Sequence, residues 1–388
     1  MTHTDHSYII VHARAISGAE SISDATITVE HGIITGLERG RPVPSGGTLP
    51  VFDASALIVG PGLFDMHIHG AGGHDTTEAD MAGSLLHMAA FLESRGITAF
   101  QPTVVMNRTT LEKTRDALYS HPALASKIPG VYVEGPFLNP EKKGGIPAGS
   151  LTAYSETSLA GILDIRFKGR PVVRTMTLAP ELPGSDAARE MLLRSGVVPA
   201  WGHSAAFLDE IVAGKAVHLT HLFNAMNGLD HRRPGLAALP FLRKTAAGLT
   251  FEIIADGVHV HPALLELVFG SSAGRNACLV SDAMKSAGLG SGETVYLGKE
   301  VVSDGRCSRY KESGTLIGSA MLISETAREL FAAGLVDEAG FFRIASANPA
   351  SVTGMTDRGV LAPGKRADIV LCDAGMNITE VFAAPPSS

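Results

Sequence analysis

Pro61-Gly62-Leu63-Phe64-Asp65-Met66-His67-Ile68-His69-Gly70 decides how the rest of the chain is read. The apolar run Leu57-Ile58-Val59 leads through a Pro-Gly break into a short strand that ends in His-Ile-His. Residues two apart on a strand point to the same side, so His67 and His69 present two imidazoles to one space. Such a pair suits a divalent metal, although HxH alone is a weak motif. The weight of the reading falls on whether later segments bring further ligands to the same place.

Outward from this stretch the texture is an alternation of apolar strands and amphipathic helices. Met81, Leu85, Met88 and Leu92 share one helical face, and Gly96 is placed to end that helix. Further strands are expected at Ile97–Thr103, Val131–Glu134, Val172–Leu178, Val197–His203, Val217–His221, Phe251–Ala255 and Cys278–Asp282, with helices such as Ala187–Arg194 and Pro262–Phe269 between them. With the opening strand they make eight. Eight β/α units over this length favour a closed (β/α)8 TIM barrel in the α/β class over an open doubly wound sheet. No GxGxxG follows a strand to suggest a dinucleotide site.

The ends of the chain read differently. Tyr8–Val11, Ala25–Val29 and Ile33-Ile34 are short β runs, with a hairpin turn at His31-Gly32 and a Gly/Pro-rich loop over 40–50. Past the barrel, Gly359-Val360-Leu361, Pro363-Gly364-Lys365 and Ala367–Leu371 read as strands that rejoin the N-terminal ones. The expected organisation is therefore a small β domain from both termini (1–58 and 357–388) flanking a barrel over 59–356. Ala287 to Gly318 reads as a hairpin over the barrel mouth, Glu325–Ala333 as a closing helix, and Ala383–Ser388 as a frayed tail.

Composition bounds the function. The 388 residues are 45% hydrophobic and 18% charged, as in a globular protein with a large core. A net charge of −7 argues against a nucleic-acid partner. Neither a secretory signal nor a run of membrane-spanning length is visible, so no membrane partner and a cytoplasmic location are expected. Cys278, Cys307 and Cys372 are widely spaced and odd in number, which suggests neither a disulfide framework nor a thiolate metal site.

In a barrel of this kind the active site lies at the C-terminal ends of the strands. His67 and His69 end the first strand, Glu134 the third, His203 the fifth, His221 the sixth and Asp282 the eighth, while the seventh runs into Asp256-Gly257-Val258-His259. Each has an ordinary explanation singly: a loop carboxylate, a satisfied histidine, a cap. Together they demand six coincidences at one mouth. His87 and His218 fall away from strand ends and receive no role. Imidazoles and carboxylates without thiolate suit zinc, or alternatively iron, manganese or cobalt. A metal so held acidifies water and polarises a carbonyl, and Asp282 is placed to shuttle the proton. Metal-assisted hydrolysis of an amide or related carbonyl–nitrogen bond is the reaction class.

These segments resemble the amidohydrolase superfamily and, within it, the N-acetylglucosamine-6-phosphate deacetylase family. The resemblance rests on PGLFDMHIHG, Val133-Glu134-Gly135-Pro136-Phe137, Lys142-Lys143-Gly144, Gly202-His203-Ser204 and Thr220-His221-Leu222-Phe223-Asn224-Ala225-Met226. It continues in Arg232-Arg233-Pro234-Gly235, Ala255–His259, Ser281-Asp282-Ala283-Met284 and Ala347-Asn348-Pro349-Ala350. It implies a barrel with a β-sandwich from both termini, and a homodimer acting on a phosphorylated N-acetyl amino sugar. It also implies one or two divalent ions per subunit: Glu134, His203 and His221 for one, with His67 and His69 for a second bridged by Glu134, and Asp282 among the metal-binding residues. No lysine ends strand four, so Glu134 takes the place of a carboxylated-lysine bridge. Asp282 is the implied acid/base. His259, Asn224 and Ala225 are implied substrate contacts, and Arg232 a phosphate ligand reaching the neighbouring subunit's site. An Arg fork suits phosphate. Arg233 stands where the family often has an acidic residue, and would merely be solvated. Ile146 stands where the family usually has a sugar-binding histidine, so a galacto or manno epimer remains a rival substrate. Other rivals are an amidohydrolase for a cyclic amide or acylated amino acid, and a catalytically dead scaffold.

Overall fold

The computed structural model describes residues 6–40, 49–212, 215, 217–242 and 248–386; most of the 40–50 loop lies outside this range. Eight parallel strands follow one another in chain order: Leu63–Ile68, Ile97–Val105, Val131–Glu134, Val173–Leu178, Val198–Trp201, His218–Leu219, Thr250–Ile253 and Ala277–Leu279. The last meets the first through an Ile68–Ala283 bridge, with the His69 amide donating to Ala283 O and the Asp282 amide to His67 O, each at 2.9 Å. The expected barrel is present.

Local chemistry explains the parts that position the site. The helix Met81–Glu93 buries Met81, Leu85, Met88 and Leu92, and Asp80 caps it by accepting the Gly83 amide at 3.0 Å. Gly96 then turns the chain at φ +82°, where a side chain would be strained. Strands five, six and eight are shorter than expected, and the difference is informative. His203, His221 and Asp282 lie two or three residues beyond strand ends, at φ +48°, +25° and +49°. Non-glycine residues in this left-handed region are uncommon and costly, and tend to cluster at functional sites. The strands stop because the backbone rotates there to aim these side chains into the mouth.

Both termini join one seven-stranded sheet of Tyr8–Ser17, Glu20–Glu30, Ile33–Arg39, Val51–Asp53, Ile58–Pro61, Ile369–Cys372 and Ile378–Phe382, which encloses its own core around Ile10, Ile27, Ile34 and Ile369. Three expectations are corrected. Residues 359–365 are not strands: Gly359 and Gly364 take φ of +92° and +84°, which breaks the extended run, and only Arg366 bridges, to Ile33. The tail is not frayed through Pro386, because the Arg366 guanidinium donates to Ala384 O and Pro385 O and Asp368 accepts the Ala384 amide. The excursion after strand eight is a four-stranded antiparallel sheet (Ser291–Tyr296, Lys299–Asp304, Cys307–Tyr310, Leu316–Ser319) rather than a hairpin.

Candidate metal centre and active site

The six strand-end residues converge. His67, His69, Glu134, His203, His221 and Asp282 are all buried, Asp282 the most exposed of them at 9%. Glu134 Oε1 lies 2.8 Å from His203 Nε2 and 3.1 Å from His221 Nε2, and those two nitrogens are 3.0 Å apart. Its other oxygen is 3.5 Å from His69 Nε2. Asp282 Oδ1 faces the first pair of histidines, 3.5 Å from His67 Nε2 and 3.4 Å from His69 Nε2. Two donor triads, His67/His69/Glu134 and Glu134/His203/His221, thus share one carboxylate.

This arrangement fits a metal. His67 Nε2 is buried without a hydrogen-bond partner, an unfavourable state for a polar atom unless something electropositive meets it. The donors are nitrogen and oxygen; the three cysteines are buried as free thiols. Burial alone would raise the Glu134 carboxyl, but the charge and bond of His203, with bonds from His221 and His69, hold it well below the ordinary range. Burial likewise opposes ionisation of Asp282, and His69 and His67 reverse that effect.

A second ring of contacts orients the imidazoles. His67 Nδ1 meets Glu252 Oε2 at 2.8 Å, His203 Nδ1 donates to Lys142 O at 2.8 Å, and His69 Nδ1 meets the Tyr296 hydroxyl at 3.1 Å. Asp65, two residues before His67, bonds Ser281 on the last strand's exit, and its burial pushes its pKa up to about 7.

A cavity opens from the cluster. Asn224, Ala225 and His259 line one side; Ile146, Ile317 and Tyr310 line another. Asp256 holds the His259 ring through Nδ1 at 2.7 Å, and the Tyr310 hydroxyl donates to Gly145 O at 3.1 Å, fastening the 143–147 loop to the excursion sheet. Arg232 stands apart: its side chain is exposed outside the cavity, on a loop whose turn Asp230 holds by accepting the Arg232 and Arg233 amides. Arg233 is not merely solvated; it pairs with Asp209 and Glu210 and its guanidinium lies 4.0 Å over the Phe207 ring. His218, given no role, is buried against Glu252 and Thr250, and His87 is exposed and stacks on His74. Sequence reasoning missed Glu252 and Tyr296. A lone carboxylate between Phe251 and Ile253 in an apolar strand was a usable signal for Glu252; Tyr296 had none.

A closed barrel with imidazoles and carboxylates gathered at its C-terminal mouth is the arrangement that a metal-dependent hydrolase needs. The chain belongs to the amidohydrolase family, whose model matches residues 58–387. It is 32% identical over 343 residues to the N-acetylglucosamine-6-phosphate deacetylase of Bos taurus, covering 85% of this chain and 83% of that one. It is 30% identical over 386 residues to the N-acetylgalactosamine-6-phosphate deacetylase of Escherichia coli O157:H7, covering 96% and 97%. Among solved structures it is similar to N-acetylglucosamine-6-phosphate deacetylase from Thermotoga maritima (TM-score 0.83, 27% identity) and to a variant of the Mycobacterium smegmatis enzyme in complex with N-acetyl-D-glucosamine-6-phosphate (TM-score 0.85, 26% identity). Each match covers 97% of this chain and 98% of the other.

Proposed function

We propose that the chain hydrolyses the acetamide of N-acetylglucosamine-6-phosphate, giving glucosamine-6-phosphate and acetate. The observation that carries this reading is Glu134, shared by two buried donor triads, with the Asp282 carboxylate facing His67 and His69 at the floor of a cavity. His67, His69, Glu134, His203, His221 and Asp282 would hold one or two divalent ions, zinc being the metal proposed. Such an ion would supply a Lewis acid for the amide carbonyl and a lower pKa for water held beside it. The Asp282 carboxylate is the proposed acid/base: it takes a proton from the water that attacks the carbonyl and returns it to the departing amine, which leaves poorly without it. His259, oriented by Asp256, donates toward the carbonyl oxygen or the phosphate, and Asn224 and the Ala225 backbone meet the sugar-phosphate. Arg232 is exposed and does not line the cavity of its own chain, and its proposed role is to bind the phosphate in the site of a neighbouring subunit of a homodimer.

One specific observation favours a second substrate. The cavity wall at Ile146 cannot donate a hydrogen bond, and the relative from E. coli named above is a galactosamine-phosphate deacetylase. No helix among the described residues is long and apolar enough to cross a membrane; the proposed location is the cytoplasm. The test is deacetylation of the gluco, galacto and manno N-acetyl 6-phosphates and of the unphosphorylated sugar by zinc-loaded protein. Phosphate-dependent turnover of the gluco compound supports the reading; preference for another isomer reassigns the substrate; silence on all four removes it.

A further inference from the structure

Glu252 has no place in the reaction above, yet it is fully buried and touches both halves of the donor cluster. It sits on the seventh barrel strand, Thr250–Ile253, facing the barrel interior. Oε2 lies 2.8 Å from His67 Nδ1 and also accepts the backbone N–H of His221 at 3.1 Å. Oε1 is 3.3 Å from His218 Nε2. One carboxylate therefore grips a ring in the first triad and the backbone turn of a histidine in the second.

The consequences are geometric. An ionised carboxylate accepts only, so His67 carries a proton on Nδ1 to meet it. That contact aims Nε2 at Glu134 and Asp282, where it is buried without a hydrogen-bond partner. His221 sits at φ +25°, a strained conformation that needs support from its surroundings, and its amide bond to Glu252 supplies part of that support.

We infer that Glu252 is a positioning residue for both metal-binding triads, fixing the ring orientation and tautomer of His67 and the backbone turn at His221. This rests on the proposal that the triads hold divalent ions. Outer partners that orient ligating imidazoles typically govern metal affinity by about 10–100-fold.

The test uses the full-length chain stripped by chelator and titrated with Co2+, read by visible absorption and by metal content per chain. Wild type, Glu252→Gln, His67→Ala and the double variant are compared, with the melting temperature of each metal-free protein as a control. The expected result is a roughly 10–100-fold weaker Co2+ affinity in Glu252→Gln, in protein that is still folded at the temperature of the titration. In the His67→Ala background the same substitution should add less than it does alone, because the two residues share one interaction. If Glu252→Gln does not fold, Glu252→Asp, which keeps the charge but shortens the reach, should show the same loss. Wild-type Co2+ affinity in the folded variant overturns the inference. Co2+ binding indifferent to His67→Ala in an active deacetylase also overturns it while leaving the proposed function standing. A wild-type chain that neither binds Co2+ nor deacetylates overturns both.

Discussion

The Asp282 amide donates to His67 O across 2.9 Å, while the Asp282 carboxylate stands 3.5 Å from the His67 imidazole. One of the bonds that close the barrel is thus made by the same two residues whose side chains face each other in the cluster. Asp282→Asn keeps the backbone bond and the side-chain volume but removes the proposed base. Loss of a general acid/base costs about 10²–10⁴ in rate. The expected outcome is a fall in kcat of that size with little change in KM, measured by steady-state kinetics on metal-loaded protein. A variant within fivefold of wild-type kcat would remove Asp282 from the reaction.

Metal removal should cost stability as well as activity. The buried donors are held together without hydrogen-bond satisfaction at His67 Nε2, so an ion that binds only the folded chain adds about 2.7 kcal/mol at a free concentration 100 times its Kd. Chelation is expected to abolish turnover and lower the Tm, and Zn2+ to restore both. Calorimetry with and without chelator checks this, and an unchanged Tm would contradict it.

Arg232 offers a test of the assembly. Its exposed side chain lies outside the cavity of its own subunit, while its loop is anchored by Asp230. A charge-assisted bond to phosphate contributes about 1.5–3 kcal/mol, so Arg232→Ala should lower kcat/KM for the phosphorylated sugar by roughly 10–100-fold, mainly through KM. Mixing Arg232→Ala with Asp282→Asn subunits should recover activity, since one hybrid site then holds both Asp282 and the neighbour's Arg232. Absence of recovery in subunit-exchanged protein would show that Arg232 does not cross between subunits.

Much of the barrel and the cluster was legible because both follow local patterns. The barrel strands are rich in apolar residues, and Glu134, His203, His221 and Asp282 are polar residues that end or closely follow one. What escaped depends on contacts between distant residues. Glu252 lies mid-strand, and only barrel curvature brings it to His67, 185 residues away. Tyr296 reaches His69 from a sheet whose first strand is mostly exposed, which carries no apolar signal. The tail's order rests on Arg366, a lone arginine whose acceptors lie 18 and 19 residues downstream.

The Asp256–His259 pair makes a pH prediction. Burial alone would raise the Asp256 pKa, but the bond and charge of His259, with the His259 and Val258 amides, lower it. A carboxyl depressed in the folded state contributes stability above its unfolded pKa, about 3.9, and loses it as pH falls through the lower folded value. Asp256→Asn should therefore be less stable than wild type at neutral pH, with the gap closing below about pH 4. Denaturant unfolding at pH 3 and pH 7 measures it, and a gap that widens in acid would refute the assignment.

Ile146 bears on which sugar fits. It is 5% exposed, lines the cavity beside Leu316 and Ile317, and cannot hydrogen-bond a hydroxyl. An apolar wall discriminates weakly against a relocated hydroxyl, by about 10² at most, whereas a site built to bond that hydroxyl reaches 10⁴ or more. The gluco and galacto 6-phosphates should accordingly differ by less than about 10² in kcat/KM. Ile146→His places a donor in the same wall and should widen the ratio, chiefly by slowing the epimer whose hydroxyl it does not reach. Competition between the two substrates in one reaction reads the ratio directly. A wild-type ratio above about 10⁴ would mean that Asn224, His259 or a neighbouring subunit reads the hydroxyl instead.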